Sequence, residues 1–323
     1  MTDAPRRQPV TVAICTLDGR GRIEPVLEAI AAQDDPGVPW RVLVVDNGST
    51  DGTGAFAVEC WERLAAGVPL SCVVEPLPGL LAGRVRAFAE AGDGIVVFVD
   101  DDNILDPTYL RTVVEILDRR PALGAVGGVS RLPPGVVCPP EMQPSLEAFA
   151  IGRSTSVRLG SPMPWGAGLA VRVAAFRPLV AGGYEPVHSS RGDDTEICLL
   201  LRGLGWELAV DERLTMVHAI DLGRLTPTAY RRMSHENGRT SLALRLYEDA
   251  VRTGSCATWP SALLRSAARA GLSLVPTRRA TGGIDNRRVH ALGRLRATIN
   301  PTRYARLRAA IRHNVALVRA ELT

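Results

Sequence analysis

The chain has 323 residues, of which 46% are hydrophobic and 22% charged, a composition typical of a soluble globular enzyme. It contains no run of about 18 apolar residues, and the first ten residues, MTDAPRRQPV, include no apolar segment. We therefore expect neither a membrane-spanning helix nor a secretion signal. The six cysteines are scattered without a C-x-x-C pair. That spacing argues against a disulfide framework and a structural zinc site, and favours a cytoplasmic protein.

The charges are divided unevenly along the chain. Residues 1–223 carry 19 arginines against 29 acidic residues, a formal charge of −10, whereas residues 224–323 carry 19 arginines against 5, a formal charge of +14. Such a division is typical of an acidic catalytic part joined to a basic part that meets phosphates, an anionic membrane face or another subunit. Recognisable nucleic-acid-binding motifs are missing, so we expect no nucleic-acid partner.

Short apolar segments alternate with helix-like segments through the first 120 residues. The strand-like segments are VTVAICT, RVLVVD, LSCVVE and GIVVFVDDD; helical spacing joins Ile23, Leu27 and Ile30, and GRVRAFAEAG is helix-like. This alternation predicts an α/β domain with a largely parallel sheet. Ligands of such sheets lie beyond the carboxyl ends of the strands. The polar residues at such ends are Thr16, Asp46, Asp100, Asp101 and Asp102.

Beyond Ala122 the alternation weakens. The segment AVGGVSRLPPGVVCPPEMQP is rich in proline and glycine, which predicts that it crosses the surface. The sequence then predicts a strand in PWGAGLAVR, and a helix followed by one or two strands in RGDDTEICLLLRGLGWELAVDERLTMVH. From Leu225 onward we expect helices, near residues 226–251, 260–274 and 287–322.

The three consecutive aspartates at a strand end suit a hard divalent cation. Mg²⁺ and Mn²⁺ take oxygen ligands and keep open positions for phosphate oxygens. The alternative is a solvated acidic loop before a helix that starts near Asp106. In VVDNGSTDGT, Asp46 and Asn47 stand where their side chains could read a base edge or a ribose, although these residue types also suit a turn and a helix N-cap.

Four segments carry a resemblance to a known family. VAICT, VVDNGSTDGT, FVDDDN and GDDTEICLLLRGLGW, in this order, resemble the inverting family 2 glycosyltransferases of the GT-A fold, over residues 10–218. The chain is also similar to the polysaccharide-biosynthesis branch of bacteria. The resemblance implies a Rossmann-like, mixed, largely parallel sheet flanked by helices in residues 1–223. Its nucleotide-binding half would span about 8–120 and its acceptor half about 121–223, followed by a basic helical region at 224–323.

The resemblance also implies a nucleotide-sugar site. Asp102 would hold Mg²⁺ or Mn²⁺, with His218 as a second candidate metal ligand, and the metal would neutralise charge on the departing nucleoside diphosphate. A histidine after a strand can equally be structural. The residues that we assign to the nucleotide sugar, on the family motifs and on their places at strand ends, are Thr16, Asp46, Asn47, Arg84, Asp100 and Asp101.

The second acidic block supplies the candidate base. In RGDDTE, the resemblance assigns catalysis to Asp194, because an inverting transfer needs one carboxylate to take the proton of the acceptor hydroxyl. Asp193 would support it, and Trp165, Gly166 and Gly168 would form the pocket for the donor sugar or acceptor. Alternatively, Asp193 and Asp194 favour only a helix N-terminus, and Trp165 belongs to the core.

These residues together predict an inverting glycosyltransferase. It would move a sugar from a nucleoside-diphosphate sugar, preferably UDP-linked, to a hydroxyl of a glycan, a lipid-linked compound or a small molecule. Two other classes stay open: a catalytically inactive glycan- or nucleotide-binding protein of the same fold, and a nucleotidyltransferase. The second would normally carry a glycine-rich basic phosphate loop near the first strand, which LDGRGR matches poorly.

The last segment, NPTRYARLRAAIRHNVALVRAEL, predicts an amphipathic helix with a cationic face. Its apolar stripe could pack on the catalytic part, with the arginines offsetting that part's negative charge. It could instead hold the enzyme at the inner face of an anionic membrane, near a lipid-linked acceptor. The stripe consists of Tyr304, Leu307, Ile311, Val315 and Val318.

Overall fold

Strands and helices alternate along the chain in a computed structural model that describes residues 7–187, 191–272 and 287–322. Within these residues there are ten strands and ten α-helices. The strands are β1 (Val10–Thr16), β2 (Trp40–Asp46), β3 (Leu70–Val74), β4 (Ile95–Val99), β5 (Asn103–Leu105), β6 (Leu123–Arg131), β7 (Val157–Arg158), β8 (Ser161–Pro162), β9 (Ala170–Arg172) and β10 (Glu207–His218). The helices are α1 (Ile23–Ala31), α2 (Thr53–Leu64), α3 (Leu80–Glu90), α4 (Tyr109–Arg119), α5 (Val173–Ala181), α6 (Asp193–Gly203), α7 (Pro227–Thr253), α8 (Trp259–Leu272), α9 (Arg287–Ile299) and α10 (Pro301–Ala320).

Eight strands form one sheet in the order β3-β2-β1-β4-β9-β6-β10-β5, and β7 pairs with β8 separately. Strands β3, β2, β1 and β4 are parallel, as are β6 and β10. Strand β9 is antiparallel to both of its neighbours, and β5 is antiparallel to β10. The predicted mixed, largely parallel sheet is thereby confirmed. The register places Thr16 opposite Asp46, so β1 and β2 end at the same edge of the sheet.

Helices cover both faces of the sheet, because side chains alternate between faces along each buried strand. In β1, Val12 and Ile14 pack with the apolar sides of α1, α2 and α4. Ala13 and Cys15 point to the opposite face, into a second core that α3, α5, α6, α7 and α10 complete. The carboxyl ends of β1, β2 and β4 therefore form an edge at which their side chains can meet a ligand.

Strand β6 corrects the sequence prediction of a surface crossing after Ala122. It is a buried strand between β9 and β10, and the chain leaves the sheet only after it. Its glycines mark close packing: a Cβ at Gly124 would lie 2.6 Å from the Trp206 Cβ, and one at Gly128 would lie 2.0 Å from the Leu214 carbonyl oxygen. The strand predicted in PWGAGLAVR is shorter than expected and consists of β9 alone.

Helices α7 to α10 fall where the C-terminal helices are predicted, and the end of the helix predicted near 260–274 lies outside the described residues. The apolar stripe of α10 packs against the rest of the chain. Tyr304, Ile311, Val315 and Val318 are at most 4% exposed, and Leu307 is half-buried. All of them contact the core on the α3, α5 and α6 face of the sheet. No helix in the described part of the chain is long and apolar enough to span a bilayer.

A buried polar network joins the C-terminal helices to α6. Glu196 of α6 is fully buried and accepts hydrogen bonds from the Tyr184 hydroxyl at 2.6 Å and the Tyr247 hydroxyl at 2.5 Å. The Asn314 side-chain amide of α10 donates to Tyr247 at 2.6 Å. A buried carboxylate is tolerated only with such partners. The position of α6, whose first turn carries the acidic pair, therefore depends on α7 and α10.

Helices α7 and α9 cross at two glycines, which gives the first testable prediction. A Cβ at Gly293 would lie 2.1 Å from the His235 carbonyl oxygen, a backbone contact that cannot move aside cheaply. We expect Gly293→Ala to lower the free energy of unfolding by about 1–3 kcal/mol in urea titrations. Gly271→Ala in α8 is the matched control, because nothing lies within 4 Å of its added Cβ. Equal losses in both variants would contradict the close crossing.

Candidate functional site

A cleft of about 600 Å³ opens at the carboxyl ends of β1 and β4, between α6, α7 and the segment before β9. Nine of the thirteen predicted site residues line it: Arg84, Asp100, Asp101, Asp102, Trp165, Gly166, Asp193, Asp194 and His218. The other four, Thr16, Asp46, Asn47 and Gly168, lie outside its lining. Two acidic blocks that are about ninety residues apart in the sequence thus share one cleft.

The middle aspartate of the strand end, Asp101, is held from two sides. Its Oδ2 accepts a hydrogen bond from the Thr16 hydroxyl at 2.6 Å, and the Arg22 guanidinium donates to the same oxygen at 2.9 Å. Gly19 closes over this contact, because a Cβ there would lie 2.2 Å from the Thr16 Oγ1. Thr16 and Asp101 are predicted to bind the nucleotide sugar. In the structure the Thr16 hydroxyl bonds to the Asp101 carboxylate, which also bonds to Arg22.

Arg84 bridges the two acidic blocks. It is 2% exposed; its Nη1 lies 2.8 Å from the Asp193 Oδ2, and its Nη2 lies 3.5 Å from the Asp100 Oδ1. Burial would lower the pKa of Arg84, but the charges of Asp193 and Asp100 prevail and raise that pKa. Gly166 makes room for this guanidinium, since a Cβ at residue 166 would lie 2.3 Å from both Nη atoms. Arg84 is thus a permanent cation between the blocks.

The surroundings of Asp100 disfavour its ionised form. Burial raises the pKa of Asp100 from 3.8 to about 6; Arg84 opposes this shift, whereas the charges of Asp102 and Asp193 add to it. Because the pKa is raised in the folded protein, the protonated group favours the fold at low pH, and that contribution is lost as the pH rises through about 6. A bound cation beside the ionised Asp100 would offset this cost.

Asp102 faces His218 because β5 and β10 pair with Asn103 opposite His218. The His218 Nε2 lies 3.3 Å from the Asp102 Oδ2, and Arg224 approaches the same oxygen to 3.7 Å. Burial would raise the pKa of Asp102, but the hydrogen bond with His218 and the nearby cations prevail and lower it. The Nδ1 of His218 is buried and has no hydrogen-bond partner among the described residues.

These side chains fit a divalent cation that is shared with a substrate. Within the described ranges, no group of three or more His, Cys, Asp or Glu side chains could hold a metal ion by itself. Asp102 and His218 nevertheless present an anionic oxygen and a ring nitrogen at one point of the cleft wall. Mg²⁺ commonly takes one or two carboxylates and completes its shell with water and phosphate oxygens. The donor set suits such a metal and does not suit a structural one.

Asp194 lies in the first turn of α6, which begins after Gly192 with its left-handed φ of 82°. Its Oδ2 accepts a hydrogen bond from the Gly166 backbone N–H at 2.9 Å, and its Oδ1 accepts one from the Thr195 N–H at 2.6 Å. The acid therefore stands at a helix start and also reaches across to the wall before β9. These bonds fix the orientation of a carboxylate that still has lone pairs facing the cleft.

The polar residues at the end of β2 and directly after it serve mainly to position neighbouring loops. The Asn47 side-chain amide donates to the carbonyl oxygens of Glu75 at 3.0 Å and Leu77 at 2.6 Å, and its oxygen accepts from the Gly79 N–H. It thereby holds the loop before α3, the helix that carries Arg84. The Asp46 Oδ1 accepts from the Ser49 N–H at 2.7 Å.

Two predicted pocket residues differ in their placement. Trp165 is half-buried and lines the cleft, as a residue that stacks on a sugar would. Gly168 instead packs against the core: at its φ of 71° a Cβ would lie 2.3 Å from the Tyr109 hydroxyl oxygen. The Tyr109 hydroxyl donates to the Gly168 carbonyl oxygen at 2.7 Å. Gly168 is therefore a packing residue behind the cleft in this structure.

Several cleft residues were missed by sequence reasoning. The arginines Arg22, Arg191 and Arg224 line the cleft, and so do residues of α7 and α9 that include Asn237 and His290. Arg22 and Arg191 carried a weak signal, because each stands beside a glycine at a predicted strand or helix end. Asn237 and His290 carried none, since only long-range packing of the C-terminal helices brings them to the cleft.

Comparisons with known proteins concern the family and the fold. Residues 11–148 match the model of the family described as Glycosyl transferase family 2. No curated protein sequence matches the chain. The mannosyltransferase PcManGT from Pyrobaculum calidifontis, solved with GDP-Man and Mn²⁺, is 22% identical, with 99% of this chain and 88% of that chain covered and a TM-score of 0.57. S. aureus TarS 1–349, solved with UDP, is 18% identical, with 97% and 90% covered and a TM-score of 0.52.

The similarity to these two solved structures establishes the fold. The predicted GT-A architecture is confirmed by them. The family match extends from β1 to the short helical turn after β6 and includes all three aspartates of the strand end. Over residues 11–148 the chain is therefore similar to glycosyl transferase family 2.

Proposed function

We propose that the cleft transfers a sugar from a nucleoside-diphosphate sugar, UDP-linked by preference, to an acceptor hydroxyl with inversion at the anomeric carbon. The observation that carries the proposal is the Arg84 bridge, which brings the strand-end aspartates and the Asp193–Asp194 pair onto one cleft. The family match, and a shared fold with structures solved with GDP-Man and Mn²⁺ or with UDP, support it.

Asp194 is the base in this proposal. Its carboxylate takes the proton of the acceptor hydroxyl while that oxygen forms a bond to the anomeric carbon, and the bond from that carbon to the diphosphate breaks on the opposite face. A single base suits this in-line displacement, with no covalent intermediate. Cys15, at the cleft floor, is no competing nucleophile, because burial raises the pKa of its thiol to about 12.

The remaining residues bind and orient the donor. Asp102 and His218 would hold Mg²⁺ or Mn²⁺, which when bound supplies Lewis-acid assistance to the leaving diphosphate. Arg22, Arg191 and Arg224 add positive charge around the diphosphate. In the same proposal Asp100 lies near the ribose and Trp165 stacks on a sugar. The loops that Thr16, Asp46 and Asn47 stabilise contact the base.

Substitution of Asp102 should weaken metal binding more than substitution of its neighbour Asp101. We expect Asp102→Asn to weaken Mn²⁺ binding, measured by titration calorimetry with UDP or GDP present, by about tenfold or more, because a metal ligand is lost. Asp101→Asn is the matched control and should change that affinity by less than about threefold, because Thr16 and Arg22 hold its carboxylate. The metal assignment would be wrong if Asp101→Asn had the larger effect.

The anomeric configuration of the first-formed product tests the mechanism. Proton NMR coupling at the anomeric carbon should show a configuration opposite to that of the donor, since one displacement inverts the centre. A retained configuration would exclude the single-base mechanism and leave Asp194 without its proposed role.

The pathway and the location belong to the same proposal. Polysaccharide biosynthesis, a cytoplasmic location, and the division into a catalytic region at 1–223 and a basic region at 224–323 are carried over from the sequence. The acceptor would be a glycan, a lipid-linked compound or a small molecule. A contact with an anionic membrane gains no support from the apolar stripe of α10, which is buried, so it would depend on exposed arginines alone.

A further inference from the structure

A second cavity, of about 450 Å³, lies between α7, α9, α10 and the segment at Pro186. Its apolar side chains include Val187, Ala243, Ala297, Leu307 and Ala310, and its charged ones are Glu236, Arg239, Arg303 and Arg306. We call it the arginine pocket, after those three arginines. Thr240 of α7 lines both this pocket and the first cleft, so the two cavities meet on that helix.

The arginines of this pocket differ from those that bridge the aspartates. In the part of the chain that the structure describes, the guanidinium groups of Arg239, Arg303 and Arg306 have no hydrogen-bond or ion-pair partner, and all three side chains are exposed. The one carboxylate of the pocket, Glu236, already lies 3.7 Å from Arg232. Helix α10 begins at Pro301, and Arg303 lies in its first turn. The positive end of the helix dipole therefore lies near Arg303. The pocket is therefore a concentration of unopposed positive charge.

We propose that the arginine pocket binds an anionic group of the acceptor, a phosphate or a carboxylate, while the acceptor hydroxyl reaches Asp194. This inference rests on the proposed glycosyl transfer. Guanidinium groups recognise both anions through paired N–H bonds. The donor diphosphate does not need the pocket, because Arg22, Arg191 and Arg224 already stand at the cleft.

The spacing along α7 suits a small acceptor. Asn237 faces the cleft, where it accepts a hydrogen bond from Arg191 at 2.8 Å, and Arg239 and Ala243 face the pocket. Thr240, three residues beyond Asn237, lines both cavities. Residues three apart on a helix are about 5–6 Å from one another, so the pocket begins roughly one helical turn from Asn237. That span fits a compound whose reacting hydroxyl is a few bonds away from its charged group.

The first test measures anion binding without donor or metal. Inorganic phosphate would be titrated into wild-type protein at constant ionic strength and followed by ³¹P NMR. We expect Arg303→Gln/Arg306→Gln to bind phosphate about tenfold more weakly, since two charge-assisted contacts are lost. The control, Arg296→Gln/Arg312→Gln, makes the same change in charge at exposed sites outside the pocket and should stay within about twofold. Circular dichroism would verify that both variants are folded.

Phosphate binding that is unchanged in the pocket variant, or equally weakened in both variants, would overturn the inference. The second outcome would show that only the overall charge matters.

The second test separates acceptor classes by their effect on nucleotide release from a donor. Polyol phosphates, hydroxy acids, neutral polyols and a detergent-dispersed polyprenyl phosphate would be compared. Anionic acceptors should accelerate release, with an acceptor KM raised about tenfold in the pocket variant and a kcat and donor KM within about twofold. Comparison of the soluble anionic acceptors with the polyprenyl phosphate shows whether the anionic group belongs to a small molecule or to a lipid.

Equal stimulation by neutral polyols would contradict the inference. If no donor releases nucleotide, the proposed function fails, whereas the phosphate titration still decides whether the pocket is an anion site. Release from a donor together with unchanged phosphate binding in the pocket variant would remove the inference alone.

Discussion

Asp194→Asn should reduce turnover by about 10²–10⁴-fold while leaving affinity for the nucleoside diphosphate nearly unchanged. The amide keeps the shape of the side chain and one oxygen for the Gly166 N–H, which donates to the carboxylate at 2.9 Å in the wild type. It cannot accept the proton of the attacking hydroxyl. Steady-state kinetics would give kcat, and calorimetry with Mn²⁺ present would give the nucleotide affinity.

Asp211→Asn is a suitable control for that experiment, because Asp211 is an acid of β10 that pairs with Arg213 away from the cleft. It should turn over at close to the wild-type rate. Wild-type turnover in Asp194→Asn would remove the base assignment. A parallel loss of nucleotide affinity would instead show that Asp194 acts mainly through its bond to Gly166.

Arg84→Met should produce the largest loss of stability, about 3–5 kcal/mol in the free energy of unfolding. The substitution would leave Asp193, which is 5% exposed, without its arginine at 2.8 Å, and would also remove the positive charge beside Asp100. A buried carboxylate that loses its cation is costly in a low-dielectric surrounding. Urea unfolding at neutral pH would measure the loss.

Two companion variants make that result specific. Arg84→Met/Asp193→Asn should recover part of the stability, because the second substitution removes the buried charge. Arg120→Met breaks an exposed pair, Arg120 with Glu207 at 2.9 Å, and should cost less than about 1 kcal/mol. A loss in Arg84→Met no larger than that in Arg120→Met would mean that Arg84 does not carry the bridge.

The sequence predicted those parts of the fold and site that depend on local patterns. Strand β1 has the predicted bounds, and Asp100 to Asp102 follow β4 at the edge where ligands of such sheets bind. Both predictions use only the alternation of strands and helices and the direction of a strand. The apolar stripe of α10 could also be predicted, because its residues recur at helical spacing. That spacing alone does not tell whether protein or membrane covers the stripe.

The errors and omissions concern contacts between distant segments. The glycines of β6 indicated a loop, whereas Gly124 and Gly128 make room for Trp206 and the Leu214 backbone, which no local pattern reveals. The sequence placed Asp100 near the ribose of the donor and did not reveal that Arg84, from α3, lies 3.5 Å from its Oδ1. Such pairings depend on the tertiary packing that brings the segments together.

The most direct test of the central claim is the identity of the nucleotide that the protein releases. A panel of UDP- and GDP-sugars would be incubated with wild-type protein, Mn²⁺ and mixed acceptors, and the products separated by ion-exchange chromatography. We expect a nucleoside diphosphate from at least one donor, no release in excess EDTA, and reduced release with Asp102→Asn. Release of pyrophosphate would indicate a nucleotidyltransferase, and full release of nucleoside diphosphate in EDTA would contradict the metal-assisted mechanism.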